Sequence, residues 1–149
     1  MIRPFQGRDL VRLYQLDQVC FPHGVAYSRA ELQYFLTHPK CSCWIAEQPG
    51  SKLAGFVILE RASRDGHPAG HIITLDVDPD DRRHGLGTLL MKTAEAQMKM
   101  EGAAVISLEV AVNNAAARQF YRGLGFVSRG KIAKYYGGSV DAEVMEKPI

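Results

Sequence analysis

Apolar residues recur along the chain at two spacings, and these spacings predict its helices and strands. Over residues 9–21 they lie three or four positions apart, which is typical of an amphipathic helix (Leu10, Leu13, Leu16, Cys20). The stretch 21–28 contains proline and glycine and interrupts this pattern. Ser28 followed by Glu31 matches a capping box, which predicts that a second helix begins there and occupies residues 29–38.

Shorter apolar runs between turn signals predict the strands. They are expected at residues 1–5, 41–48, 52–61, 70–79, 104–112, 127–136 and 140–149. Two further helices are expected after the fourth and fifth strands, at residues 87–102 and from Asn113 or Asn114 to Gly123 or Gly125. The order βααβββαβαββ predicts an α+β fold with one mixed central sheet, in a single domain over residues 1–149.

Two segments carry more specific expectations. The turn-rich stretch 60–71 is interpreted as the connection of a hairpin. The apolar run 104–112 predicts a strand that is buried on both faces if it lies in the middle of the sheet.

Composition narrows the class of protein. A hydrophobic content of 46% and a charged content of 23% are ordinary for a globular domain, and the net charge of +2 does not favour a nucleic-acid partner. No run approaches the roughly 18 apolar residues of a membrane span, and the polar amino terminus does not resemble a secretion signal. We therefore expect a cytoplasmic protein without a membrane partner.

Cysteine and histidine placement predicts neither disulfides nor a metal site. The three cysteines (Cys20, Cys41, Cys43) form no even-numbered framework and are expected to be reduced and structural. Four of the histidines lack metal-ligand spacing to carboxylates or cysteines (His38, His67, His71, His84).

A basic, glycine-containing loop stands between the fourth strand and the third helix. Glycines at 85 and 87 would let ligand oxygens approach the backbone, because no Cβ is in the way. The first N–H groups of the helix lack partners and carry the positive end of its dipole, which suits a pyrophosphate. Arg82 and Arg83 can add charged hydrogen bonds. A plain helix start with a flexible turn is the alternative reading of this loop.

The segment 82–87, Arg-Arg-His-Gly-Leu-Gly, resembles the R/Q-x-x-G-x-G/A signature of the GNAT family of N-acetyltransferases. The predicted order of strands and helices is also similar to that family's, over essentially the whole chain. The resemblance implies that acetyl-coenzyme A is the co-substrate and that this loop holds its pyrophosphate (Arg82, Arg83, His84, Gly85, Leu86, Gly87, Thr88). It also implies that the preceding strand is splayed from the next by a bulge. Its main chain then faces the acetyl carbonyl (Leu75, Asp76, Val77).

The segment 108–126 resembles the ribosomal-protein alanine N-acetyltransferases within this family. The resemblance implies that Glu109 is the general base, that Asn114 contacts coenzyme A and that Tyr121 contacts it and protonates the leaving thiolate. The alternatives are a solvent-facing glutamate and a core tyrosine. Arg118 departs from the family pattern and is expected to face solvent.

The carboxy-terminal hairpin resembles that of the protein N-terminal acetyltransferases, which implies that Tyr135 and Tyr136 contact the acceptor peptide. In a regular strand, neighbours point to opposite faces, so only one is expected to reach the ligand unless the hairpin bends. Tyr27 and His23, in the loop between the first two helices, are expected on the other wall. A solvent-exposed loop histidine is the alternative for His23.

We expect an acetyl-coenzyme A-dependent N-acetyltransferase that acts directly, in a ternary complex, on the α-amino group of a protein or peptide, for instance a ribosomal protein. Two alternatives stay open: a small-molecule amine as the acceptor, and a non-catalytic acyl-coenzyme A-binding module. The sequence does not distinguish a monomer from a homodimer.

Overall fold

A computed structural model describes residues 1–149 and contains one seven-stranded sheet with helices on both faces. The strands are β1 (Ile2–Pro4), β2 (Cys41–Gln48), β3 (Lys52–Arg64), β4 (His67–Val77), β5 (Val105–Ala111), β6 (Val127–Tyr136) and β7 (Val140–Pro148). The helices are α1 (Leu10–Cys20), α2 (Arg29–Thr37), α3 (Leu86–Met100) and α4 (Ala115–Gly123), and short 3-10 turns occupy Gly7–Asp9 and Pro79–Asp81. The predicted order of strands and helices is confirmed.

The sheet order is β1-β2-β3-β4-β5-β7-β6. All neighbouring strands are antiparallel except β4 and β5, which are parallel and connected through α3. This makes the sheet mixed, as predicted. None of the helices combines the length and apolar character needed to cross a membrane.

Local signals in the sequence fix two helix starts. The Ser28 hydroxyl accepts a hydrogen bond from the Glu31 N–H at 3.1 Å, and the Glu31 carboxylate accepts one from the Ser28 N–H at 3.0 Å. This is the predicted capping box of α2. Asn114 caps α4 by accepting a hydrogen bond from the Ala117 N–H at 3.1 Å. Both caps satisfy N–H groups that a helix cannot pair internally.

The hydrophobic core has one layer on each face of the sheet. Alternate residues of β3 serve the two layers, with Phe56 and Ile58 on the side of α1 and α2, and Val57 and Leu59 on the side of α3 and α4. Because both faces are covered, β3 reads as a continuous apolar run in the sequence.

Two expectations about the sheet are corrected. The segment 60–71 is mostly strand, because β3 continues to Arg64 and β4 begins at His67, with only Asp65 and Gly66 in the turn. Two-residue turns suit a twisted hairpin, and Asp-Gly is among their favoured sequences. Strand β5 is central, but from Val105 to Val110 only alternate residues are buried, so Glu109 lies on a face that is left partly open.

The parallel strands β4 and β5 separate after a short stretch of pairing. Their paired residues are Gly70–Ile72 of β4 and residues 106–108 of β5. On its other side β4 stays paired with β3 as far as Val77, with a bulge that leaves Ile73 as an extra residue. The β5-facing edge of β4 beyond Ile72 is therefore unpaired with β5, and a cleft opens between the two strands.

Candidate functional site

Glu109 lies on β5 where the cleft begins, and it contacts a histidine of β4. The Glu109 Oε1 atom is 2.8 Å from the Nε2 atom of His71. The other ring nitrogen of His71, Nδ1, is 3.3 Å from Glu60 Oε1 on β3, directly across the ladder. A carboxylate, an imidazole and a second carboxylate thus form a continuous chain. Glu109 is the more enclosed end, with 17% of its side chain exposed against 35% for Glu60.

The two carboxylates control the charge of His71. Burial disfavours the imidazolium, but the hydrogen bond and charge of Glu109, followed by those of Glu60, outweigh it and raise the pKa of His71 above its ordinary value. A protonated ring can donate to both carboxylates at once, whereas a neutral ring can donate to only one. His71 is therefore held between two carboxylates that both favour its protonated form.

Both tyrosines of the carboxy-terminal hairpin reach Glu109. The Tyr135 hydroxyl donates to Glu109 Oε1 at 3.3 Å, and the Tyr136 hydroxyl donates to the Glu109 carbonyl at 3.1 Å. The hairpin bends, which is the exception that the sequence-based expectation allowed, and both side chains approach the same residue. Lys134 has a φ of 53°, and the pairing with β7 is irregular between Ile132 and Tyr136. This irregularity turns neighbouring side chains toward the same region.

Tyr27 approaches the same region from the α1–α2 loop. Its hydroxyl donates to the carbonyl of the bulged residue Ile73 at 3.4 Å. Its backbone N–H donates to Asp17 Oδ2 at 2.7 Å. Burial, together with the nearby Tyr135 and other acidic groups of the site, raises the pKa of the Tyr27 phenol, which therefore stays protonated and can donate hydrogen bonds.

The α1–α2 loop and the β6–β7 turn touch each other. A Cβ on Gly137 would lie only 3.3 Å from the carbonyl oxygen of Gly24, so the two backbones are packed closely. The tyrosines that these segments carry therefore lie on two walls joined at one side. His23 is exposed in the loop and forms no hydrogen bond with the Glu109 cluster.

The predicted phosphate loop has a left-handed backbone conformation at Gly85, which favours glycine at this position. Gly85 is the N-cap of α3 with a φ of 81°, and no side chain caps the helix. The N–H groups of the first helical residues (Leu86, Gly87, Thr88) therefore have no partner within the helix. Arg83 also has a positive φ, 66°, and Arg82, Arg83 and His84 are exposed. The loop thus presents N–H groups and cationic side chains to an anion.

Two loop contacts refine the sequence-based picture. Arg82 Nε donates to the Val77 carbonyl at 3.0 Å, so Arg82 ties the loop to the end of β4 and the Val77 oxygen is already engaged within the chain. A Cβ on Gly87 would lie 3.2 Å from Phe120 Cζ. Gly87 therefore allows α3 to pack against α4, and its substitution would disturb this packing as well as any ligand.

Tyr121 and Asn114 lie on α4, beside the cleft. Tyr121 is buried against Phe120 and Phe126, so its ring is part of the hydrophobic core, as the alternative interpretation of this residue expected. Burial and the proximity of Asp76 and Tyr136 raise the pKa of its phenol, which stays protonated at neutral pH. Asn114 uses its oxygen as a helix cap, which leaves its amide N–H₂ available.

Arg118 does not face solvent as expected. It donates to Glu143 Oε2 at 2.7 Å and to the Val112 carbonyl at 3.0 Å. Glu143 lies on β7 with 2% of its side chain exposed, and it requires a cationic partner there. Arg118 therefore holds α4, which carries Tyr121 and Asn114, against the sheet.

The sequence did not predict that His71 contacts Glu109 or that Glu60 contacts His71. The three residues lie on three strands, and their contacts depend on the β3–β4 register and on the parallel pairing of β4 with β5. The available signal was a histidine that starts the apolar run 71–77, opposite a glutamate at the end of the preceding strand. The register that joins them is not encoded in spacing alone.

The chain is similar in sequence to known acetyltransferases. The chain matches the family model described as "Acetyltransferase (GNAT) family" over residues 10–126. It is 34% identical to the catalytic subunit ard1 of the N-terminal acetyltransferase A complex of Schizosaccharomyces pombe, over 98% of this chain and 84% of that protein.

Solved structures share the whole fold. Ard1 from Thermoplasma volcanium superposes with a TM-score of 0.87 at 27% identity, covering 100% of this chain and 97% of that one. The ribosomal-protein-S18-alanine N-acetyltransferase from Escherichia coli gives 0.84 at 28% identity, covering 100% and 93%. The same fold has been solved elsewhere with coenzyme A or acetyl-coenzyme A bound.

Proposed function

Because this chain belongs to the acetyltransferase (GNAT) family and is an N-acetyltransferase, we propose that it transfers acetyl from acetyl-coenzyme A to the amino-terminal α-amino group of a protein or peptide. The relatives named for N-terminal acetylation support this acceptor class. Membership in a family of acetyltransferases sets aside the non-catalytic module.

One observation supports the choice of acceptor: three tyrosine phenols and a carboxylate lie close together where β4 and β5 begin to separate. The hydroxyls of Tyr135 and Tyr136 are bonded to Glu109, and Tyr27 faces them from the other wall. Hydroxyls can both donate to and accept from a peptide backbone, while the carboxylate suits its terminal amine. His23, on the rim of the same loop, would meet residues further along the peptide.

The residues of the β4–β5 cleft fit acetyl-coenzyme A. Its thioester supplies the activated acetyl group. The segment Leu75, Asp76 and Val77 of β4 would run along the acetyl arm, beside the edge that is not paired with β5, and the Val77 carbonyl there already accepts from Arg82. The uncapped start of α3, from Gly85 to Thr88, offers N–H groups for a pyrophosphate.

Four further side chains would complete the donor site. Arg82, Arg83 and His84 line the exposed side of the loop and would add positive charge or hydrogen bonds to the pyrophosphate. The amide of Asn114, across the cleft on α4, would donate to the coenzyme arm.

The proton is handled by this chain's own side chains. Glu109 takes a proton from the attacking amine, directly or through a water molecule, and shares it with His71. Glu60, at the exposed end, connects His71 to solvent. Tyr121, whose phenol stays protonated at neutral pH, donates to the departing sulfur. The amine loses one proton to Glu109 and the thiolate gains one from Tyr121, so the overall charge is unchanged. The cycle closes when Tyr121 regains a proton and the Glu109–His71 pair releases the one that it took up.

A small amine is the second candidate acceptor, favoured by the two carboxylates, Glu60 and Glu109, on either side of His71. A polyamine would present cationic nitrogens to both. The deciding experiment follows thiol release from acetyl-coenzyme A with two panels, short peptides with different first residues and small amines. Turnover confined to a subset of peptides is the expected result, and turnover confined to small amines would replace the proposal with the second candidate.

A further inference from the structure

Two aspartates whose side chains have no role in the proposed proton transfer are fully buried beside the cleft. Asp17 lies on α1 and Asp76 on β4, and both have 0% of their surface exposed. Each carboxyl group has one buried oxygen that no donor reaches, and the two groups are close enough for each to act on the pKa of the other. Ionised carboxylates accept hydrogen bonds and cannot donate them, and two buried negative charges in contact repel strongly. A contact of this kind requires a proton between the groups.

The other contacts of the two groups show where this proton lies. Asp17 Oδ2 accepts from the Tyr27 N–H at 2.7 Å, and Asp76 Oδ1 accepts from the Thr74 hydroxyl at 2.7 Å. The two remaining oxygens, Asp17 Oδ1 and Asp76 Oδ2, are buried and have no donor in the chain. One proton on Asp76 Oδ2, donated to Asp17 Oδ1, satisfies both of these atoms at once.

The surroundings favour the same assignment. Burial, followed by the charge and hydrogen bond of Asp17, raises the pKa of Asp76 well above its ordinary value. Burial also raises the pKa of Asp17, but hydrogen bonds from Asp76 and from the Tyr27 N–H favour its charged form.

Few other titratable groups face the pair. The cation Arg82 reaches Asp76 from the loop after β4. Cys20 of α1, Cys43 of β2 and Tyr121 of α4 are all neutral there because burial raises their pKa. Glu31 of α2 faces Asp17 and adds negative charge. None of these groups supplies a hydrogen-bond donor to the two unpaired carboxyl oxygens.

We propose that Asp17 and Asp76 share one proton, and that this bridge is a positioning device that fixes the Tyr27 segment of the acceptor wall to the strand that faces the coenzyme. Asp76 holds α1 against β4, and Asp17 holds the Tyr27 backbone at the distance at which its phenol reaches the Ile73 carbonyl. The role of Tyr27 in acceptor binding rests on the proposed function, but the shared proton and the hold on Tyr27 do not.

The proton itself is tested without any substrate, by carbon NMR of the aspartate carboxyl groups during a pH titration. We expect one carboxyl signal to stay protonated through neutral pH in the wild type and to be lost in Asp76→Asn. Asparagine can donate to Asp17 and accept from Thr74, so this variant should fold. Two buried carboxyls that both titrate in the ordinary acid range would overturn the proposal.

The pH dependence of unfolding gives a second readout. A raised pKa in the folded state means that stability is highest below the ordinary pKa of aspartate and falls as pH rises toward the folded value. Within that window the unfolding constant should rise about tenfold per pH unit for this one proton. Asp76→Asn should remove this dependence, while Asp65→Asn, at the exposed β3–β4 turn, should keep it. An unchanged slope in Asp76→Asn would contradict the shared proton.

The hold on Tyr27 is tested with Asp17→Ala, and with Asp17→Asn as the rescuing variant. Amide hydrogen exchange at Tyr27 should accelerate about tenfold or more in the alanine variant and return toward wild type with asparagine. In Asp17→Ala the KM for the acceptor should also rise, while the KM for acetyl-coenzyme A should stay within about twofold of the wild-type value. Should Asp17→Ala not fold, fast Tyr27 exchange in wild type would itself refute the hold. Normal exchange at Tyr27 in a folded Asp17→Ala would refute it too, whatever the acceptor proves to be.

Discussion

The two ends of the cleft are built in different ways. At the loop before α3, the groups that would meet the coenzyme are mostly backbone N–H groups of one continuous segment, with Gly85 supplying the required conformation. At the other end, where β4 and β5 begin to separate, Glu109 is contacted by side chains of β4 and β6, and Glu60 of β3 extends this cluster through His71. The donor end is therefore determined by a short continuous segment of the sequence, whereas the acceptor end depends on how the strands pair in the folded protein.

This difference has a consequence for mutation. A backbone site is disturbed mainly by changing conformation, and most side chains around it can vary. A side-chain cluster is disturbed by deleting single functional groups. Substitutions at the two ends should therefore separate coenzyme affinity from turnover and acceptor binding.

The largest effect is expected for Glu109→Gln. The amide cannot accept the amine proton, so turnover should fall by about 10²–10⁴-fold. Affinity for acetyl-coenzyme A, measured by calorimetry, should stay nearly unchanged, because Glu109 contacts the hairpin tyrosines and His71 and not the loop before α3.

Glu95→Gln is a suitable control for this variant, since Glu95 lies on α3 and pairs with Lys147 outside the cleft. It should retain wild-type turnover. Loss of coenzyme affinity in Glu109→Gln would show that Glu109 has a structural role. It would also contradict the expectation that substitutions at the two ends affect coenzyme affinity and turnover separately.

The next largest effect is expected for Gly85→Val, at the donor end. Its φ of 81° is unfavourable for a branched side chain by roughly 1–2 kcal/mol or more, and the side chain would enter the space above the start of α3. Acetyl-coenzyme A should bind at least about tenfold more weakly.

Gly66 offers a matched control, because its φ is 79° and it also has open space around it, at the β3–β4 turn. Gly66→Val should show similar backbone strain with normal coenzyme affinity. Equal loss of affinity in both variants would attribute the effect to stability and would contradict the loop assignment.

Features that depend on residues close together in the chain could be predicted from the sequence. The capping box at Ser28, the cap at Asn114 and the glycine loop were all predictable, because each depends on residues within a few positions of one another. The order of strands and helices followed from periodicity in the same way. At the donor end, a family signature also fell within six consecutive residues.

The acceptor end was only partly predictable. Glu109 could be singled out as a carboxylate in an apolar strand, but its partner His71 could not, because their contact requires a specific pairing of β4 with β5. The joint approach of Tyr135 and Tyr136 depends on the left-handed conformation of Lys134, a residue type that gives no such signal. Asp17 and Asp76 come from different layers, and nothing in their spacing joins them.

A moderate effect is expected for Tyr136→Phe. Removing its hydroxyl deletes the hydrogen bond to the Glu109 carbonyl and should raise the peptide KM by about threefold to tenfold, with coenzyme affinity unchanged. Tyr135→Phe should have a smaller effect, because that side chain is 44% exposed. Steady-state kinetics with the best peptide measures both, and a small amine serves as the comparison acceptor. Identical KM values for all three proteins would show that the hairpin does not hold the acceptor.

The smallest effect is expected for Glu60→Gln, and it concerns pH. In the wild type the pKa of His71 is raised, so activity that requires a neutral His71 should fall as pH drops through that raised value. Removing the Glu60 charge lowers the pKa of His71, and the acid limb of kcat/KM should move to lower pH. The move should be small, since Glu60 is partly exposed and screened. Stability should respond with the opposite sense: His71 stabilises the fold below its unfolded pKa, and this contribution is lost as pH rises through the folded value. Glu60→Gln should therefore be less stable than wild type in acid and equal to it in mild alkali, whereas an acid limb that does not move would exclude Glu60 from the proton path.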